Sequence, residues 1–163
     1  MKNQFPIVGI VGAGAMGRGI AQIAAQAGSR VLLLDMQPDA AASARGSIQA
    51  QWQRLQDKGR ISDEQAQGWG NLLEPVATIA DLAPCDLVIE AIVERLDAKQ
   101  ALFAQLEAVV GPHAVLATNT SSLAVTAIGA ALQRPERLAG FHFFNPVPLM
   151  KVVEVIAGLK TAP

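Results

Sequence analysis

The sequence predicts a doubly wound α/β fold: a mostly parallel sheet with helices on both faces and a last strand running antiparallel. Three observations predict it. Short runs rich in Val, Ile and Leu alternate along the chain with longer Ala-rich stretches, the order expected of strands joined by crossover helices. The runs are apolar at nearly every position, as strands covered on both faces must be. The first run ends in a cluster of glycines that opens directly into a helical stretch. The 163 residues suffice for one domain with a real core, taken as 1–163, and hardly for two.

The elements follow in order. Ile7–Val11 is the first buried strand. Ala15–Ala27 is a helix closed by Gly28, where a left-handed cap costs little. Val31–Leu34 is the next strand and ends at Asp35. Pro38 opens a long helix to about Lys58, stopped by Gly59. Ser62–Gly68 is a short helix with Ser62 as its cap and Asp63 and Glu64 in its first turn. Val76–Ile79 and Leu87–Glu90 are short strands, the second introduced by a turn at Pro84–Asp86. Leu96–Val110 is a helix with Leu102, Leu106 and Val109 on one side, broken by Gly111 and Pro112. Val115–Ala117 is a strand leading into the polar run Thr118–Ser122. Val125–Leu132 is a short helix, Leu138–Phe143 a strand, and Val152–Ile156 the last strand, after the Pro146–Pro148 turn.

Composition narrows the class of function. Apolar residues make up 51% and charged residues 17%, which describes a soluble globular protein. The net charge is −1 and no basic block occurs, so neither nucleic acid nor an anionic membrane is an expected partner. The glycines at 9, 12, 14 and 17 break up the early apolar run, so it reads as neither signal peptide nor membrane span. The single Cys85 allows no internal disulfide and fits a reducing compartment, with cytoplasm the expectation. Two histidines and one cysteine, widely separated, give no metal-ligand spacing, so no metal is expected.

The strongest local motif is Gly12-Ala13-Gly14-Ala15-Met16-Gly17. On its own such a glycine pattern is weak, but here it follows a buried strand and opens a helix, the context its chemistry requires. Gly12 permits the tight turn, Gly14 lets backbone approach a diphosphate, and Gly17 lets helix and strand lie close. The unpaired N–H groups at the helix start, around Ala15 and Met16, then face the phosphates. Asp35, at the end of the second strand, can accept hydrogen bonds from both hydroxyls of an adenosine ribose and repels a 2′-phosphate. The next residue is Met36 and not an arginine, so the cofactor reads as NAD over NADP. The alternative is that the glycines merely make a turn and Asp35 merely caps a strand.

Candidates for chemistry are few. His113 lies in a Gly-Pro-His turn and reads as a solvated loop residue. His142 lies near the end of a strand, flanked by aromatics and followed by Asn145, on the side where ligands of such sheets bind. An imidazole titrating near neutrality suits removal of an alcohol proton, and a satisfied core histidine is the competing reading. Glu154 alternates with Val153 and Val155; it either reaches back to orient His142 or is an edge-strand glutamate in solvent. Thr118–Ser122 offers hydroxyls to a ligand or caps the following helix. Glu90 and Glu94 flank Ala91-Ile92-Val93; one meets cofactor, or both serve the next helix dipole, leaving Lys99 a solvated helix lysine. Cys85, without a basic neighbour, reads as structural.

Four segments, GAGAMGRGIAQ (12–22), VIEAIVE (88–94), NTSSL (119–123) and GFHFFNPVPLMKVVE (140–154), together resemble the NAD-binding domain of the L-3-hydroxyacyl-CoA dehydrogenases. That family includes bacterial 3-hydroxybutyryl-CoA and phenylacetate-pathway members, and the resemblance covers essentially the whole chain. HFFNP is far more specific than the glycine motif. The resemblance implies a Rossmann sheet, an enzyme of fatty acid metabolism and β-oxidation type, and NAD. It implies that His142 is the general base for the 3-hydroxyl proton, Glu154 its orienting carboxylate, and Ser121 a contact to substrate and cofactor. It implies further NAD contacts at Asp35, Glu94, Lys99 and Asn145, which favours Glu94 over Glu90. CoA contacts are not carried over, Lys58 being only a nominee. The family continues into a helical C-terminal domain that supplies a catalytic asparagine, acyl pocket and dimer interface. The expectation is therefore a chain that binds NAD, turns over 3-hydroxyacyl-CoA or 3-oxoacyl-CoA poorly, and exposes an apolar patch prone to self-association, whereas the longer protein is a homodimer. The other readings are a nucleotide-binding module without chemistry and a dehydrogenase of another secondary alcohol, such as a sugar acid.

Overall fold

A computed structural model of the chain describes residues 4–163. Seven strands form one sheet: β1 (Ile7–Val11), β2 (Arg30–Leu34), β3 (Leu73–Val76), β4 (Leu87–Glu90), β5 (Val115–Thr118), β6 (Leu138–Phe143) and β7 (Val153–Ala157). Their spatial order is β3-β2-β1-β4-β5-β6-β7. All neighbours run parallel except β6 and β7, which are antiparallel. The order reverses between β1 and β4, so a crevice opens outside the carboxyl ends of those two strands.

Side-chain alternation explains why the strands read as continuous apolar runs. Val8, Ile10, Val31, Leu33, Leu87 and Ile89 pack on one face with Ile20, Ala21 and Ala25 of helix α1 (Ala15–Gln26) and Ile48 and Trp52 of helix α2 (Ala40–Asp57). Val11, Leu32, Leu34, Val88 and Leu116 pack on the other with Leu102, Phe103 and Leu106 of helix α4 (Leu96–Val109) and Ile128 of helix α5 (Val125–Gly129). The remaining helix, α3 (Asp63–Leu72), lies against α2 at one edge. Each face of the sheet therefore buries its own apolar set, the main stabilising term for such a layered fold.

Four elements differ from the sequence reading by two residues or more, each for a local reason, and several others shift by one residue. Helix α2 starts at Ala40 and not at Pro38, because Asp39 is left-handed (φ 64°) and residues 37–40 form a turn first. Helix α3 passes Gly68 and runs to Leu72, capped by Ser62, whose hydroxyl accepts from the Gln65 amide at 3.2 Å while the Gln65 side chain accepts from the Ser62 amide at 2.9 Å. The third strand is therefore Leu73–Val76, three residues before the predicted Val76–Ile79, and residues 79–82 form a 3-10 turn. Pro75 is tolerated in β3 because that strand pairs only with β2 and sits at the sheet edge. Helix α5 stops at Gly129, since the amides of Ala131 and Leu132 bond three residues back and the turn tightens.

Candidate functional site

The glycine loop joins β1 to α1. Gly12 has φ 103°, and a Cβ there would lie 2.5 Å from the Ala91 carbonyl oxygen, so only glycine fits where β1 and β4 diverge. A Cβ on Gly17 would lie 1.7 Å from the Gly12 carbonyl oxygen, so the helix can approach the strand only without one. Gly14 is different: nothing lies within 4 Å of its would-be Cβ. The start of α1 has no side-chain cap and no acidic residue in its first turn. Amides there are left for an anion, which is the electrostatics of a phosphate site. Arg18 and Gln51 line a second hollow beside this helix, together with Asn145 and Pro146.

Asp35 follows β2 and is half-buried. Its Oδ2 accepts from the Ala13 amide at 2.7 Å and its Oδ1 from the Gln37 amide at 2.8 Å. The carboxylate is thus tied to the glycine loop. Each of its oxygens keeps a free lone pair, enough for two ribose hydroxyls.

On the other side of the crevice, β6 and β7 bring the predicted acid–base pair together. His142 and Glu154 are register partners across the antiparallel ladder. His142 Nδ1 and Glu154 Oε2 are 2.8 Å apart. With the proton on Nδ1, donating to the carboxylate, Nε2 is left as an acceptor. The Phe144 ring leans on the imidazole at a centroid distance of 4.7 Å and further fixes its orientation. Glu154 is 57% exposed, so it is an edge-strand glutamate as well as a partner to His142.

Between these two halves lies a cleft of about 380 Å³. Met16, Ala91, Ile92, Glu94, Asn119, Ser121, His142, Phe143, Phe144 and Asn145 line it. Ser121, Glu94, His142, Asn145 and Met16, all singled out from sequence, therefore share one wall system. Gly12, Gly14, Ala15 and Gly17 form the loop beside it, and Asp35 stands at the far side of that loop. A more enclosed hollow of about 270 Å³, lined by Val125, Leu132, Leu138 and Lys160 among others, lies away from this crevice and holds no acid–base pair.

Lys99, expected from the resemblance as an NAD contact and otherwise as a solvated helix lysine, is buried and does not line the cleft, and Glu90 is buried with it. Lys99 is 1% exposed and Glu90 0%. The ammonium lies 2.5 Å from Glu90 Oε1 and 3.2 Å from Glu94 Oε2. Glu90 Oε1 also accepts from the Ile92 amide at 2.7 Å, and Oε2 accepts from the Thr118 hydroxyl at 2.7 Å. Glu94 Oε1 accepts from the Thr120 hydroxyl, from the Ser121 amide at 3.1 Å and from Ser122. Burial works to raise the Glu94 pKa, but the Thr120 and Lys99 hydrogen bonds, the Lys99 charge and the Ser122 amide outweigh it and hold the carboxyl at about 2. A signal for the burial of Lys99 was present: positions 99, 102, 103 and 106 fall on one helical face, and the other three are apolar core. The role of Asn119 within the Thr118–Ser122 run was not read from sequence. Its Oδ1 accepts from the Phe143 amide at 3.0 Å, bracing the end of β6 beside His142.

The remaining candidates behave as bland residues. His113 is exposed in its loop. Cys85 is buried against Gly9, and burial first, then the charge of Asp86, pushes its thiol up to about 12, which leaves it inert. No cluster of three or more metal-ligating side chains occurs among the described residues, and no described helix is long and apolar enough to cross a membrane.

The family model described as 3-hydroxyacyl-CoA dehydrogenase, NAD binding domain, matches residues 7–163. The chain is 48% identical over 162 residues to the 3-hydroxyadipyl-CoA dehydrogenase of Escherichia coli K12, covering 99% of this chain and 34% of that protein. It is 44% identical over 154 residues to the probable 3-hydroxybutyryl-CoA dehydrogenase of Deinococcus radiodurans, covering 94% of this chain and 55% of that one. The crystal structure of 3-hydroxybutyryl-CoA dehydrogenase from Escherichia coli K12 matches with a TM-score of 0.95 and 47% identity, over 98% of this chain and 34% of that one. The chain thus spans about a third to a half of the length of these relatives. By its match over residues 7–163, the chain belongs to the 3-hydroxyacyl-CoA dehydrogenase family, as its NAD-binding domain.

Proposed function

We propose that this chain is the dinucleotide-binding half of an enzyme that oxidises (S)-3-hydroxyacyl-CoA to 3-oxoacyl-CoA. The observation that carries the reading is the 2.8 Å His142–Glu154 pair on the wall of a cleft that also holds Ser121 and Glu94. NAD, when bound, supplies the acceptor for the hydride from C3. The amides of the glycine loop hold the diphosphate and Asp35 holds the adenosine sugar. His142 Nε2 takes the 3-hydroxyl proton, and Glu154 holds the tautomer and stabilises the imidazolium. No hydrogen bond engages the Ser121 hydroxyl among the described residues, so it is available to the 3-oxygen. Glu94 and Asn145 meet the nicotinamide end.

The relatives named for 3-hydroxyadipyl-CoA and 3-hydroxybutyryl-CoA support a 3-hydroxyacyl thioester as substrate class. Both β-oxidation and phenylacetate catabolism use such thioesters. Leu149, Val152, Val155 and Leu159 are exposed on and around β7, the last strand of the sheet. We assign this margin as the docking face for the helical domain that the family resemblance implies, and as the surface through which the 163-residue chain self-associates when alone.

Calorimetry with NADH, followed by acetoacetyl-CoA reduction at high enzyme concentration, tests the reading. With residues 1–163 tested by themselves, NADH is expected to bind, turnover to be slow for want of the helical domain that the family resemblance implies, and His142→Gln to abolish the residual turnover while NADH still binds. Absence of NADH affinity in the folded chain, or turnover by His142→Gln equal to wild type, would refute it. Brisk turnover by the unaltered chain would refute the need for closure.

A further inference from the structure

The ion-pair cluster beneath the cleft is unbalanced. Glu90 and Glu94 share the single ammonium of Lys99, at 2.5 Å and 3.2 Å. Two carboxylates against one ammonium leave one negative charge. Glu90 is fully buried and lies closer to Lys99, so it claims most of the ammonium. Glu94, with 37% of its side chain exposed, therefore presents a carboxylate to the cleft that Lys99 only partly neutralises. No Lys or Arg side chain lines that cleft, and its other titratable wall residue, His142, is already paired to Glu154. The cleft is thus a negative hollow: Glu94 carries the charge on its wall, and Glu90, which does not line it, keeps Lys99 from cancelling that charge.

A charge in that position distinguishes ligands of the same shape. The oxidised nicotinamide ring carries a positive charge, and the reduced ring is neutral. Resting on the assignment of this cleft to the nicotinamide, we propose that Glu90 is a positioning residue that commits Lys99 away from Glu94. The cleft consequently selects the oxidised dinucleotide over the reduced one. The selectivity is electrostatic and needs no difference in contacts. It also favours release of the reduced form once charge has left the ring.

The test is calorimetric and needs no turnover. Dissociation constants for NAD+, NADH and ADP-ribose are measured on the unaltered chain, on Glu90→Gln and on Glu94→Gln, with circular dichroism confirming the fold. Removing one unit of charge from a partly solvated cleft is expected to shift the NAD+/NADH affinity ratio about tenfold toward NADH in both variants. The shift should shrink as salt is raised. ADP-ribose, which lacks the ring, should bind Glu90→Gln as it binds the unaltered chain. Should the buried Glu90→Gln variant fail to fold, the ratio in Glu94→Gln decides alone. An unchanged ratio in a folded variant that binds both nucleotides overturns the proposal and leaves the assignment of the cleft intact. Failure of the unaltered chain to bind either nucleotide overturns that assignment and the proposal with it.

Discussion

A methyl group added at Gly14 separates what the ligand demands from what the fold demands. Nothing lies within 4 Å of the new Cβ. The backbone there is extended, with φ −66° and ψ −171°, which alanine adopts without strain. Two small terms oppose each other. Alanine is a poorer N-cap than glycine, by about 0.5 kcal/mol, and it restricts the unfolded chain, a gain of about 0.4–1 kcal/mol. Stability should therefore move by less than about 1 kcal/mol. Binding should not be spared. The same open space is where a diphosphate must approach the helix amides, and each charge-assisted hydrogen bond forfeited costs about 1.5–3 kcal/mol. One such loss raises the NADH dissociation constant roughly tenfold to a hundredfold. Urea denaturation and NADH calorimetry on Gly14→Ala measure the two effects separately. A well-folded variant that binds NADH within twofold of wild type would show that the phosphates do not pass over Gly14, and the reasoning would fall.

Gly17→Ala should behave in the opposite way. Its Cβ would meet the Gly12 carbonyl at 1.7 Å and must withdraw by at least 1.3 Å to reach the 3.0 Å limit. Such a shift breaks the loop that the 2.7 Å Ala13–Asp35 hydrogen bond holds, so destabilisation of about 2–5 kcal/mol in urea melts is expected with loss of NADH binding. Lys99→Met strands two carboxylates, one fully buried, and should cost about 3–5 kcal/mol in the same assay. Glu94 has a folded pKa of about 2, below its ordinary 4.5, so it stabilises the fold fully above the upper value and loses that contribution as pH falls toward the lower one. The stability gap between wild type and Glu94→Gln should accordingly close between those two values in acid titrations followed by circular dichroism.

The sheet was legible in the sequence wherever burial on both faces left an unbroken apolar run, as in Ile7–Val11 and Leu87–Glu90. It was misread where one element flows into the next without punctuation. Leu72 ends α3 and Leu73 begins β3, with no breaker between them. Gly68 offered a false stop because a glycine on an exposed helix face costs only about 1 kcal/mol. Pro75 stands inside β3, which its edge position permits. Within the candidate site, the residues singled out from sequence belong to compact motifs: the glycine loop, Asp35, and His142 and Glu154, which the β6–β7 register sets opposite each other. The contacts that join the residues behind them were not read from sequence. Glu90, Thr118 and Asn119 act through contacts between β4, β5 and β6, strands far apart in sequence, and no spacing rule joins them. Lys99 was the recoverable case, since its helical phase matches Leu102, Phe103 and Leu106.

One dinucleotide reaching from Asp35 over the glycine loop to the His142 cleft unites every assignment made above, and a crystal structure of the chain grown with NADH tests that path most directly. The diphosphate should lie on the amides at the start of α1, with a ribose on Asp35 and the nicotinamide between Glu94 and His142. A nicotinamide ring lying outside that cleft, or a diphosphate away from Gly14, would contradict it.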